Sequence, residues 1–181
     1  SIANEQESDV DGIPTKRFTF LKDNVVLSES EDKVGSQLAI VKEVFNGTPA
    51  TPSGYQLANT QESNVDGIPT KRFTFLKDDV ELSRSEDKVG SQLAIITEVF
   101  NPTADPTETG YSVARTEVSD VEGIPTKRFT FLKPSILSLQ QDFNNGLKRV
   151  SVQAFGMTSA AVSSELTAIT GSHELISQTE S

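Results

Sequence analysis

The sequence predicts an all-β protein made of tandem repeats of about 55 residues, each a roughly three-stranded antiparallel meander, in an elongated array. Three observations lead there. Gly-Ile-Pro-Thr-Lys-Arg-Phe-Thr-Phe-Leu-Lys stands unchanged at Gly12 to Lys22, Gly67 to Lys77 and Gly123 to Lys133. The segments around it are short runs rich in Val, Ile, Thr and Phe, residues that suit a pleated, half-buried strand. Gly, Pro, Asp and Asn cluster between those runs and mark turns. A unit copied with so little change supplies length, surface or multivalency, whereas a catalytic site is assembled once from distant parts of a fold.

The second copy shows the order of elements best. A strand is expected from Tyr55 to about Val65, with its equivalent from Tyr111 to about Val121. Asp66-Gly67-Ile68-Pro69 carries turn chemistry, because Gly supplies positive φ and Pro fixes its own. The next strand runs from Lys71 to Glu86, matched by Thr15 to Leu21 in the first copy, with phenylalanines two apart that share one face. A break near Lys77-Asp78-Asp79 is expected, since Asp suits a strand interior poorly and the third copy has Pro134 nearby. The last strand runs from Ser91 to Phe100, matched by Leu38 to Phe45. Its residues are apolar on both sides: Leu38, Ile40 and Val44 on one face, Ala39, Val41 and Phe45 on the other. Both faces need cover, from the same chain or from partner chains. Thr158 to Ile169 mixes helix-favouring Ala and Leu with strand-favouring Val and Thr, and aligns loosely with the opening strand of a fourth unit.

These boundaries divide the chain into repeat 1 (1–54), repeat 2 (55–110), repeat 3 (111–156) and a tail (157–181). Between the copies length varies where Pro and Gly are dense, as exposed connections allow. Between Asp9–Phe45 and Asn64–Phe100 six positions differ: Asp9/Asn64, Asn24/Asp79, Val26/Glu81, Glu29/Arg84, Val41/Ile96 and Lys42/Thr97. These exchanges are expected at solvent-facing sites. The third copy drifts after Lys133, with Gly146 read as the counterpart of Gly35 and Gly90, as expected of a terminal or junction repeat. Ser1 aligns with Gln56, so a longer parent chain is expected. Gly12, Gly67 and Gly123 are expected in turns, and Phe18, Phe20, Phe73, Phe75, Phe129 and Phe131 in the interior. Leu38, Ile40, Leu93 and Ile95 are expected to line the main core or a subunit contact.

A net charge of −10 disfavours nucleic acid and anionic membrane surfaces as partners. The absence of Cys excludes disulfides and thiolate metal sites. Ser8-Asp9-Val10-Asp11-Gly12 resembles the start of a calcium loop, but Phe18 stands where the closing Glu would be, so an Asx-capped hairpin is the better reading. Lys16-Arg17 and its copies Lys71-Arg72 and Lys127-Arg128 are expected to pair with neighbouring Glu and Asp. His173, the one histidine, lacks the partners of a triad or zinc site and is expected to be an exposed polar residue. Ser28-Glu29-Ser30-Glu31-Asp32 reads as a solvated strand edge guarded by charge. No catalytic, cofactor-binding or metal residue is assigned, and the chain reads as a non-enzyme.

The succession of Gly-Tyr, Asp-Gly-Ile-Pro, a Thr/Phe strand, a charged Ser/Glu strand, Gly, an apolar strand and Asn-x-Thr-Pro-x-x-Pro-x-Gly-Tyr is similar to tandem β repeats in structural proteins of tailed bacteriophages. Fibre and minor virion proteins are the nearest in cadence. The resemblance covers Ser1 to about Phe155. It implies a virion component of an extracellular particle, a homo-oligomer (trimer or filament), whose repeats act as spacer, sheath or receptor-contact surface. Its partners would be other copies, other virion proteins and a host surface receptor, with no cofactor. The alternative is a bacterial cell-surface adhesin or stalk of bead-like β-sandwich modules, each closed on itself. A carbohydrate-binding or hydrolytic module would line up exposed aromatics. This chain has no Trp, and Tyr55 and Tyr111 stand beside Gly at unit starts, where they read as linker packing.

Overall fold

Every strand of the chain belongs to a hairpin. The computed structural model describes residues 1–171, 175 and 177–179, and these form twelve strands followed by one helix. The hairpins are β1 (Ile2–Val10) with β2 (Ile13–Phe20), β3 (Val25–Val34) with β4 (Gln37–Phe45), and β5 (Gln56–Val65) with β6 (Ile68–Leu76). They continue with β7 (Val80–Val89) and β8 (Gln92–Phe100), β9 (Ser112–Val121) and β10 (Ile124–Leu132), and β11 (Ser135–Asn144) and β12 (Leu147–Phe155). The helix α1 is Ser159–Thr170.

Turn chemistry fixes the hairpins. Asp11-Gly12, Asp66-Gly67 and Glu122-Gly123 have positive φ at both residues, the requirement of a type I′ turn. In each, a side-chain oxygen two residues before the turn's first member accepts the glycine N–H: Asp9 and Asp120 at 2.7 Å, Asn64 at 2.8 Å. This is the Asx cap expected of Ser8 to Gly12, and it occupies one of the carboxylate oxygens a cation would need. The β3–β4 loop is Gly35-Ser36, with positive φ at Gly35 alone, the pattern of type II′.

The β11–β12 loop differs. Asn144 faces Leu147, so the loop is Asn145-Gly146, both with positive φ. Gly146 therefore stands at the loop position of Ser36, not of Gly35. The alignment slips by one residue because, after the shared Lys, Pro134 stands where the earlier copies have Asp23-Asn24 and Asp78-Asp79.

The three-stranded meander is corrected to two hairpins per repeat, distributed over different sheets. The order is β3-β4-β6-β5 in one four-stranded sheet and β7-β8-β10-β9 in the next, with β1-β2 and β11-β12 as two-stranded sheets. The break at Lys77-Asp78-Asp79 is the cause: Asp79 takes φ 58°, and the chain leaves one sheet for another. Each four-stranded sheet thus joins the second hairpin of one sequence repeat to the first hairpin of the next. β4 and β6 meet antiparallel with Ile40 opposite Phe75, Lys42 opposite Phe73 and Glu43 opposite Arg72. Bulges skip Ala3, Leu27, Ala58 and Leu137 early in the first strand of their hairpins, which sharpens the twist there.

Packing divides the chain into two compact units: Ser1–Arg84 with Thr97–Asp105 and Glu117–Arg128, and Ser85–Ile96 with Pro106–Thr116 and Phe129–Ser181. Within the first, one face of the β3-β4-β6-β5 sheet places Ala39, Val41, Ala58 and Leu76 against Leu82, Phe100 and Ile124. The opposite face gathers Val44, Phe73 and Phe75 with Ile40 and Tyr55. On that second face Val44 is buried within its own chain, while Leu38 at the other end of β4 stays exposed. Burying side chains of this size contributes about 1.5–3 kcal/mol each.

Several residues depart from expectation. Phe73, Phe75, Phe129 and Phe131 are buried, but Phe18 and Phe20 of the two-stranded β1–β2 sheet are 45% and 67% exposed. Leu38 and Leu93 are exposed, at 58% and 62%. The β4–β6 pairing begins at Ile40, so Leu38 projects past the end of β6, and Leu93 holds the matching position in β8. Val41, Ile96 and Thr97 are buried although they differ between copies, so those exchanges are core and seam substitutions, not surface ones. Thr158 to Ile169 is helical: Thr158 caps it by accepting the Ala161 amide at 3.2 Å, and Gly171 at φ 90° ends it.

Candidate assembly surface

The seam between β4 and β6 joins two hairpins of different sequence repeats, and a polar cluster sits on it. Ser28 and Glu43 are cross-strand neighbours on the β3–β4 hairpin, Arg72 lies opposite Glu43, and the Ser63 hydroxyl of β5 donates to Glu43 Oε1 at 2.8 Å. Arg72 also pairs with Asp32 of β3 at 2.9 Å. The same residue types recur one repeat later, where Glu98 accepts from Ser83 and Ser119 beside Arg128. Burial pushes the Glu98 carboxyl up, but the two hydroxyls and the Arg128 charge outweigh it and hold the pKa below the usual carboxylate value. Each seam is therefore two half-sites: Ser and Glu from one hairpin, Ser and Arg from the other.

The first and last hairpins carry one half each. β1–β2 holds Ser8 and Arg17 at the positions of Ser63 and Arg72, and Ser8 instead shares a hydrogen bond with Thr15 at 2.8 Å. β11–β12 holds Ser138 and, in place of Glu, Gln153, whose Oε1 accepts from Ser138 at 2.9 Å. Among the described residues β2 and β12 each have one paired neighbour, whereas their counterparts β6, β10, β4 and β8 are interior strands.

The linkers are pinned by the same repeated logic. Asn46 donates to Asp23 at 2.6 Å, and Asn101 donates to Asp78 at 2.6 Å and to Gln56 at 3.0 Å. Asp79 accepts the Thr103 amide at 2.6 Å and its hydroxyl at 2.7 Å, which lowers its pKa. Tyr55 and Tyr111 lie at the linker ends with Lys77 and Lys133 over their rings at 5.6 Å and 5.3 Å.

Of the charged residues singled out by sequence, Lys16 pairs with Glu5 at 2.7 Å, Lys71 approaches Glu62 at 4.0 Å, and Glu29 in the acidic edge strand pairs with Lys42 at 3.5 Å. Among the described residues no group of three or more His, Cys, Asp or Glu gathers in metal-binding range, and no helix is long and apolar enough to cross a membrane. His173 lies outside the described residues. The Ser-Glu-Ser-Arg seam clusters escaped the sequence reading. Their signal is that Ser28/Ser83, Glu43/Glu98 and Ser63/Ser119 stay fixed between copies while the neighbouring Lys42/Thr97 changes. No family model, curated protein or solved structure matches the chain.

Proposed function

We propose that this chain is a non-enzymatic structural protein, a bacteriophage virion fibre or tail-associated component whose repeats serve as spacer, sheath or receptor-contact surface in an elongated array. The observation that supports it is the phase of the sheets: each four-stranded sheet draws one hairpin from each of two successive repeats. A repeat so placed is stitched to its neighbours by backbone hydrogen bonds and by the Glu43 and Glu98 clusters, so tension along the array is shared by sheets and not left to the linkers. Bead-like modules, as in an adhesin stalk, would instead close each sheet inside one repeat. The tandem array of about 55 residues per step predicts that length grows with repeat number.

Two measurements test this reading. Inserting further copies of residues 56–110 should raise the maximum dimension in small-angle scattering by a constant increment per copy. Growth as the cube root of mass would refute the array. Mass spectrometry of purified phage particles from the source that encodes the chain should find it at stoichiometric level, and its absence from them would refute the virion setting.

A further inference from the structure

We propose that Asn145 is a site of spontaneous covalent modification: its side-chain amide is lost through a cyclic imide formed with Gly146, leaving aspartate or isoaspartate at the tip of the β11–β12 hairpin. Water is the only co-reactant. The Gly146 backbone nitrogen gives its proton to solvent and attacks the Asn145 side-chain carbonyl carbon. An N–C bond forms, the bond from that carbon to the side-chain nitrogen breaks, and the nitrogen takes up a proton and leaves as ammonia. Water then opens the ring at either carbonyl, giving aspartate, or isoaspartate whose main chain runs through the side-chain carbons. Glycine suits the attacking position because it sets no Cβ in the path of the approach.

Three observations single out this residue. First, the chain holds two Asn-Gly dipeptides, Asn46-Gly47 and Asn145-Gly146, and Asn46 is tied down. Its amide nitrogen donates to Asp23 at 2.6 Å, its carbonyl accepts the Asn24 amide at 3.2 Å, and Asn24 Oδ1 lies where a Cβ on Gly47 would stand. The next copy has Asn101-Pro102 at that place, with no N–H to react.

Second, the glycine N–H is occupied in the type I′ turns at Asp11-Gly12, Asp66-Gly67 and Glu122-Gly123. It donates to Asp9, Asn64 and Asp120, each three residues before its glycine. The residue three before Gly146 is Phe143, whose side chain has no acceptor to offer. Attack requires rotation about the Asn145 Cα–C bond, which a glycine fixed to an Asx oxygen resists and an uncapped turn allows. Third, Asn145 and Gly146 are exposed and Phe143 is 77% exposed, so water reaches the turn.

The product changes the hairpin. Isoaspartate adds one atom to the main chain of a two-residue loop, which disturbs the pairing of Asn144 with Leu147, and either product adds a negative charge. The β11–β12 hairpin therefore ages where the Asx-capped hairpins do not.

The test is peptide mapping by mass spectrometry, with isoaspartate detection, on the full folded chain held at mildly alkaline pH and sampled over weeks, beside the same chain in concentrated urea. In urea both Asn-Gly sites should convert from amide to acid at similar rates. In the folded chain Asn145 should keep a rate close to that, and Asn46 should convert roughly tenfold or more slowly, the effect of one hydrogen bond to a charged acceptor. Phe143→Asp restores the missing acceptor at an exposed position and should slow Asn145 by about the same factor. Phe143→Ala, which supplies no acceptor, should leave its rate unchanged. Phe143→Asn, the acceptor type that serves at Asn64, is the second variant should Phe143→Asp fail to fold. Asp23→Ala should release Asn46 and leave Asn145 as it was. A folded chain in which Asn145 converts no faster than Asn46 would overturn the proposal, as would equal Asn145 rates with and without an acceptor at position 143.

Discussion

Gly35 and Gly90 offer a controlled comparison of turn strain with packing. Both occupy the first loop position between Val and Ser in hairpins of nearly identical sequence, and both have φ 60°. A Cβ built on Gly35 falls 2.0 Å from the Leu82 carbonyl oxygen and 2.9 Å from its carbonyl carbon, whereas one on Gly90 meets nothing within 4 Å. The obstacle at Gly35 is backbone and cannot rotate away. Alanine at either site suffers the positive-φ penalty, about 1–3 kcal/mol. At Gly35 it must also displace the start of β7, an overpacking cost of about another 1–3 kcal/mol. Tyrosine emission can read the two sites separately, because Tyr55 lies in the first unit and Tyr111 in the second, with no Trp to mask them. Gly35→Ala would be followed in a Tyr111→Phe background and Gly90→Ala in a Tyr55→Phe background, both in urea. With a urea slope of about 1–3 kcal/mol per M, the extra loss at Gly35 should appear as a midpoint lowered by roughly a further 1 M. Losses equal to within about 0.5 kcal/mol would refute the claim that the β3–β4 turn is held against Leu82.

Three further outcomes follow from the same geometry. Phe73→Ala should cost about 3–5 kcal/mol in urea unfolding, and Phe18→Ala, at the same place in β2 but half exposed, less than about 1 kcal/mol; equal costs would contradict the exposure difference. Glu122→Asn should stabilise the β9–β10 turn by roughly 0.5 kcal/mol, since Glu122 holds φ 52° where Asn is better tolerated, and a lower midpoint would argue against a type I′ turn there. Asp79 and Glu98 have pKa values held below the ordinary carboxylate range. A depressed carboxylate stabilises the fold above its unfolded pKa and loses that contribution as pH falls through the lower folded value, so stability should decline below about pH 4. Asp79→Asn should flatten that decline, and an unchanged acid limb would show that the Thr103 hydrogen bonds do not depend on the carboxylate charge.

The parts of this fold legible in the sequence are the local ones. Asp66-Gly67 announces a hairpin because few other dipeptides accept positive φ at two consecutive residues, and Asp78-Asp79 announces a strand end for the complementary reason. Phe73 and Phe75 announce a buried face by their spacing alone. Sheet membership is not written that way. Nothing in the period-two pattern of β4 says whether β6 of the next repeat or a strand of its own covers it, since both supply the same alternation. Hence the meander, and hence Phe18 and Phe20 placed in the interior on the strength of copies whose neighbours they lack. Exchanges such as Lys42 to Thr97 misled for a related reason: polarity was read as exposure, while the seam holds a Lys42–Glu29 pair in one copy and a buried threonine in the next.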